Sequence, residues 1–274
     1  MAGDLRGRTA VITGASRGIG KATALELAAR GARLVLAART EEPRPGTPGT
    51  LNETAQALRE LGHDPLVVRA DMALAADVDA LIAAANNYLG HVDILVNNAA
   101  YTVGKAIWTH VPDIAREQWE KCFAINVTAP LMLIQGFWKS MADRGGGIVI
   151  NVTSGAAKLQ PLDVGTTRLE GSDLGENGPL YGASKAALDR MANVIAFEGK
   201  PHNIAVINVS PGLVLTETME LTLTRQGADL GDRFRQPVVP AKAIAWLCAC
   251  NDPMRFSGQV VDGPELHDQL GLSS

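Results

Sequence analysis

The sequence predicts an α/β fold: a doubly wound, mostly parallel sheet of seven strands with helices on both faces. Three observations predict it. Short β-type runs alternate with longer Ala- and Leu-rich stretches of helical period from end to end, the pattern of repeated strand-helix-strand units. Several of the short runs are apolar almost throughout, as strands covered on both sides must be. No linker or low-complexity segment divides the 274 residues, so 1–274 is read as a single domain.

Each element has its own signal. The expected strands are Thr9–Thr13, Arg33–Ala37, Leu66–Arg69, Ile94–Asn97, Gly147–Val152, Ile204–Val209 and Gln259–Val261. Between them, helical spacing predicts Ile19–Ala29, Leu51–Leu61, Ala75–Tyr88, a long stretch from about Asp113 to Ala142, and Leu180–Glu198. Gly31, Gly62 and Gly90 follow the first three helices, where helix ends favour glycine. Two segments break the rhythm. Glu41–Gly49 holds three prolines and two glycines, and Pro161–Pro179 is polar and aperiodic, so both are expected as surface loops, the second as an insertion at about 161–179. The stretch 213–240 mixes Met219, Leu221 and Leu223 into a region without clear boundaries and is a candidate substrate lid.

Composition narrows the function. A chain that is 46% hydrophobic and 20% charged has ample material for a core. Its formal charge of −4, with neither sign gathered into a block, gives no case for a nucleic-acid or anionic-membrane partner. Asp4, Arg6 and Arg8 precede a short apolar run in place of a signal peptide's apolar core. No segment reaches the roughly 18 apolar residues of a membrane span, and the expectation is a cytoplasmic protein. Cys122, Cys248 and Cys250 have neither disulfide-framework nor metal-ligand spacing, and are expected as buried, reduced thiols with no metal.

The first turn carries the strongest chemical signal. Thr13 leads into Gly14, Ala15, Ser16, Arg17, Gly18, Ile19 and Gly20, between the first strand and the first helix. Glycines let a backbone turn sharply against a pyrophosphate, and the following helix offers free N–H groups and a positive dipole end. This is the Rossmann-type placement of a dinucleotide. Nineteen residues beyond Gly20, where a carboxylate would select NAD, stands Arg39. Arg39 and Arg17 can converge on a 2′-phosphate with charge-assisted bonds. NADP(H) is therefore preferred, with NAD(H) as the alternative; Glu41 and Glu42 are close enough to pair with these arginines instead.

A helical Tyr-x-x-x-Lys places a phenol and an ammonium on one face, where the ammonium favours the phenolate. The spacing occurs at Tyr181/Lys185 and at Tyr101/Lys105. The latter carries two β-branched residues and a glycine directly after a strand, which disfavours helix, whereas Tyr181 leads into a good helix former.

Thr13 to Gly20, Asn97-Asn98-Ala99, Asn126, Ser154, Tyr181 with Lys185, and Pro211-Gly212, in that order, resemble the short-chain dehydrogenase/reductase family in its compact, classical branch, over Gly7 to about Gly263. The resemblance implies hydride transfer between nicotinamide and a small-molecule carbonyl or secondary alcohol. It implies that Tyr181 is the acid in reduction and the base in oxidation, and that Lys185 binds the nicotinamide ribose and lowers the Tyr181 pKa. Ser154 would hydrogen-bond the substrate carbonyl, and Asn126 would hold a water of a proton relay. Asp71 would contact adenine, Asn97 would support the cleft, and Val214 and Thr216, after Pro211 and Gly212, would hold the carboxamide and pyrophosphate side. A homotetramer or homodimer through the long helices is implied too. The chain departs from the pattern at Ala100, where the family usually has Gly, and in the 27 residues between Ser154 and Tyr181, about twice the usual separation. The excess must loop out within 161–179, at little closure cost, and Thr153 offers a neighbouring hydroxyl. A different class of function, a catalytically silent NADP-binding sensor or scaffold, is opposed by the intact Tyr181, Lys185 and Asn126.

Overall fold

All seven expected strands form and every pairing is parallel: β1 (Thr9–Thr13), β2 (Arg33–Ala38), β3 (Leu66–Arg69), β4 (Ile94–Asn97), β5 (Gly147–Val152), β6 (Ile204–Ser210) and β7 (Val260–Asp262). The computed structural model describes residues 4–102, 111–158, 179–226 and 233–272. Strand ends differ from expectation by one residue where a neighbour sets the ladder: Ala38 pairs with Arg69, and Ser210 with Asp262. The sheet order is β3-β2-β1-β4-β5-β6-β7. From β1 the chain winds outward to β3, then returns to β4 beside β1 and winds the other way. That reversal opens a crevice at the carboxyl ends of β1 and β4, where open α/β sheets bind ligands.

The strand period of two sorts side chains onto two faces. Ala10, Ile12, Leu34, Leu36, Ile94 and Val96 pack in one buried cluster, while the intervening Val11, Val35, Ala37 and Leu95 pack in another. The first cluster is covered by α1 (Gly18–Ala29), α2 (Leu51–Glu60), α8 (Val238–Ala249) and α9 (Gly263–Gln269). The second is covered by α3 (Ala75–Leu89), α5 (Ala129–Asp143) and α6 (Pro179–Gly199). Thr50 and Glu53 form a reciprocal cap at the start of α2.

The long helix expected over Asp113–Ala142 is broken. It comprises a 3₁₀ turn at Val111–Asp113, α4 (Arg116–Phe123), a π turn at Ala124–Thr128, and α5. At the π turn the Ala129 N–H reaches back five residues to the Ala124 carbonyl, so one extra residue is accommodated without ending the helix. The lid region holds α7 (Glu217–Gln226) and the start of α8, an order that its sequence did not announce. The expected insertion at 161–179 lies outside the described residues, apart from Pro179. Cys122 and Cys248 are buried free thiols and Cys250 is half-buried. Among the described residues no helix is long and apolar enough to cross a membrane.

Candidate active site

At the carboxyl end of β1, Gly14 and Gly18 take left-handed backbone, with φ of +67° and +54°, which side chains resist. Gly20 is required for space instead: a Cβ there would lie 2.2 Å from the Gly14 carbonyl oxygen and 2.5 Å from Asn98 Nδ2. Asn98 Nδ2 donates to the Thr13 and Gly14 carbonyls at 3.0 and 3.2 Å. Thr13 Oγ1 accepts from the Asn98 and Ala99 N–H groups at 3.1 and 3.0 Å. The member of the Asn-Asn pair that braces the turn is thus Asn98, which sequence reasoning passed over. Asn97 faces the buried sheet and donates to Asn151 Oδ1 at 2.9 Å.

Behind this turn α1 starts without a side-chain cap from Arg17. The Gly18 N–H donates to Glu217 Oε2 at 2.8 Å, a contact from α7 that local sequence could not reveal. A tight, side-chain-free cradle whose helix end already attracts a carboxylate has the chemistry to hold a pyrophosphate.

One continuous cleft runs from this cradle to α6. Gly14, Ser16, Arg17, Gly18 and Ile19 line its first part with Thr216 beside Gly18, Arg39 and Asp71 its flank, and Tyr181, Lys185 and Pro211 its far end. Six other expected residues are not among those that line it. They are Gly20, Asn97, Asn126, Ser154, exposed Gly212 (φ +71°) and buried Val214, which bridges to Arg235. Asp71 also accepts the Ala73 N–H at 3.0 Å, ordering its own turn.

Positive charge gathers at the cleft's flank. Arg17 donates to Thr40 Oγ1 and to the Gly49 carbonyl, both at 3.1 Å, while its Nε is buried without a partner. Burial lowers the Arg17 pKa, and of the neighbouring charges Glu217 raises it while Arg39 lowers it further. Arg44, from the loop after β2, and Arg69 join Arg17 and Arg39 around the adjoining hollow, which Asp71 and Asp77 also line. Among the described residues no ion pair joins Arg17 or Arg39 to a carboxylate, and Glu42 accepts from Asn52 instead.

On α6, Lys185 Nζ stands 5.8 Å from the Tyr181 ring centroid. Lys185 is 2% exposed and donates to the Val152 carbonyl at 2.7 Å, which ties the helix to the end of β5. Ser154 is the hydroxyl side chain that acts on the phenol, favouring its ionised form. Burial pushes Tyr181 up to about 12, with Ser154 opposing and the Cys122 thiol adding to the rise. This corrects the expectation that the ammonium brings the phenol down: Lys185 is turned to a carbonyl, and desolvation dominates. Desolvation also pushes Lys185 down to about 8, with Asp189 and Cys122 opposing.

The Asn126 side chain makes three bonds. Its Oδ1 accepts the Tyr101 N–H at 2.8 Å, and its Nδ2 donates to Ser184 Oγ at 2.9 Å and to Cys122 Sγ at 3.4 Å. Tyr101 therefore serves this corner through its backbone, while Lys105 lies outside the described residues. Thr153, not Ser154, lines the cleft wall directly, although Ser154 is the hydroxyl that acts on the phenol's ionisation.

Comparison with known proteins gives a consistent picture. The family model described as short chain dehydrogenase matches residues 8–226. An uncharacterised oxidoreductase of Staphylococcus epidermidis is 30% identical over 226 residues, 82% of this chain and 84% of that protein. L-sorbose reductase from Gluconobacter frateurii, solved with NADPH and L-sorbose, superposes with a TM-score of 0.78 at 30% identity, covering 96% of this chain and 97% of that one. A 7α-hydroxysteroid dehydrogenase solved with NADH and 7-oxo glycochenodeoxycholic acid superposes with a TM-score of 0.73 at 27% identity, covering 95% and 94%.

Proposed function

This chain belongs to the short-chain dehydrogenase family, and from that premise we propose that it is an NADP(H)-dependent oxidoreductase acting on a carbonyl or secondary alcohol. The observation that carries the reading is the cleft that joins the glycine cradle at one end to Tyr181 and Lys185 at the other. Bound there, the nicotinamide supplies or accepts the hydride. The residues of the chain do the rest. Gly14 to Ile19 hold the pyrophosphate, with Thr216 beside it. Asp71 lies at the adenine end. Tyr181, protonated at neutral pH, donates to the carbonyl oxygen, and Ser154 orients that oxygen together with the phenol. Lys185 binds the nicotinamide ribose. Both Nδ2 hydrogens of Asn126 and one acceptor position of its Oδ1 are already taken, so a relay water at this residue would be held by the main chain, where the π turn disturbs the regular helical ladder, together with the remaining Oδ1 lone pair.

The test is NADPH consumption against a panel of small aldehydes, ketones, ketoses and oxo-steroids. Turnover with at least one class is expected; tight NADPH binding without turnover across the panel overturns the assignment.

The cofactor choice rests on the arginines, since the two structural relatives were solved with different cofactors. A guanidinium pair that makes no ion pair with a carboxylate among the described residues suits a 2′-phosphate dianion and has nothing to offer a 2′-hydroxyl that a carboxylate would not do better. NADPH is expected to bind about tenfold or more tightly than NADH, and Arg39→Ala to remove most of that ratio. Equal affinities in the wild type, measured by quenching or calorimetry, refute the role.

The two adjacent hydroxyls are separable. Ser154→Ala is expected to lower turnover by about 10²-fold with NADPH affinity unchanged, as for the loss of a donor at the reacting oxygen. If Thr153→Ala alone does so, the cleft-lining hydroxyl is the one that meets substrate.

A further inference from the structure

Asp189 stands on α6 one turn beyond Lys185, and a row of amides from the sheet leads to it. Asn97, Asn151 and Asn208 lie in register at the carboxyl ends of β4, β5 and β6, and all three are buried. Asn97 Nδ2 donates to Asn151 Oδ1 at 2.9 Å, Asn151 Nδ2 to Asn208 Oδ1 at 2.9 Å, and Asn208 Nδ2 to Asp189 Oδ1 at 2.6 Å. Every link points the same way, so each amide presents its positive end to the next acceptor and the last presents it to a carboxylate. Aligned dipoles in a low-dielectric interior reinforce one another, and a donor chain ending on Asp189 favours the charged carboxylate over the neutral acid.

We propose that Asp189 is a positioning residue that acts through Lys185: the asparagine row holds its carboxylate charged beneath the active site, and that charge keeps Lys185 an ammonium. The functional meaning rests on the reading of Tyr181 and Lys185 as the proton-transfer pair; the electrostatic claim does not. Lys185 needs such support because its own bond is to a neutral carbonyl, that of Val152. The titratable groups that face it are Tyr181 and Asp189 from its own helix and Cys122 from α4, while β5 offers the Val152 carbonyl and β6 reaches Asp189 through Asn208. Burial holds the Cys122 thiol above its ordinary value, and the Tyr181 phenol is likewise raised, so both are neutral near pH 7. Among the described residues Asp189 is then the counter-charge. Burial pushes its carboxyl up, and Thr153, then Asn208, then Lys185 oppose the rise. Lys185, pushed down to about 8, is held from falling further by Asp189 first and Cys122 second.

Asp189→Asn removes the charge and keeps an oxygen for Asn208 to donate to, which separates the electrostatic role from a structural tie between α6 and β6. The measurement is the titration of Lys185 by NMR in protein carrying ¹³C-labelled lysine, without substrate, with Lys185→Arg identifying the signal. An ammonium is present below its midpoint and lost as pH rises through it. In Asp189→Asn the midpoint is expected to fall by about one pH unit. If that variant does not fold, Asp189→Ser supplies the same uncharged comparison. An unmoved midpoint in a folded variant overturns the proposal. A lowered midpoint in a protein that transfers no hydride to any carbonyl upholds the Asp189 role and refutes the enzymatic reading instead.

Discussion

Tyr181→Phe is expected to lower hydride transfer by about 10³-fold, the upper range for removal of a positioned acid. Binding of NADPH should survive, since the phenol closes the far end of the cleft while the cradle and arginines occupy the other. Folding should survive as well. The ring is 8% exposed, and phenylalanine preserves its packing; one hydrogen bond of the lost hydroxyl is worth about 1 kcal/mol, or about 2–4 °C in melting temperature for a chain of this size. The expected result is thus a folded protein that binds NADPH and does not turn over. The phenol's state explains why the effect is confined to chemistry. Pushed up to about 12 by burial, it is a neutral donor at physiological pH, suited to protonating a carbonyl oxygen as the hydride arrives. A single-turnover measurement with pre-bound NADPH isolates that step. Retained turnover would remove Tyr181 from the mechanism and leave Ser154 or a water as the acid.

The proposed catalytic pair was legible because its information is local. Four-residue spacing in a sequence of good helix formers puts Tyr181 and Lys185 on one face whatever the tertiary structure. Its electrostatics were not legible. Spacing says nothing of depth, and it is burial that sets the phenol high and turns Lys185 toward the Val152 carbonyl. The same distinction explains the secondary structure. Strands covered on both faces are apolar runs and announce themselves. Helix α8 is apolar nearly all round, with nine of its twelve residues buried, so it has no polar face from which a period could be read. The π turn changes a hydrogen-bond offset and leaves no trace in residue pattern. Asn98 and Glu217 act across elements distant in sequence: Glu217 meets Gly18 from 199 residues away. Nothing local marks such residues as different from surface polar groups. Asn97 and Asn98 show the limit most clearly, since adjacent identical residues at a strand end point to opposite duties, one within the sheet and one across the glycine turn.

Gly20→Ala is expected to cost about 2 kcal/mol of stability and to weaken NADPH binding by about 100-fold, a result opposite in sign to helix propensity. Gly20 sits in the first turn of α1, and on propensity alone alanine there would stabilise by up to about 1 kcal/mol. Sterics decide otherwise. The new Cβ would lie 2.2 Å from the Gly14 carbonyl oxygen, 2.8 Å from its carbon and 2.5 Å from Asn98 Nδ2. Two of these are backbone atoms of the cradle, and the third is an amide already holding that cradle through the Thr13 and Gly14 carbonyls. No flexible chain end is available to yield. Either α1 moves off the sheet or the turn rotates, and both displace the N–H groups at the helix end from the anion that they are proposed to bind. Gly155→Ala is the matched control, because a Cβ there meets nothing within 4 Å, and it should leave melting temperature and NADPH affinity unchanged. A raised melting temperature in Gly20→Ala, with NADPH binding intact, would mean that the first helix does not press against the glycine turn, and the cradle assigned to the pyrophosphate would lose its geometric basis.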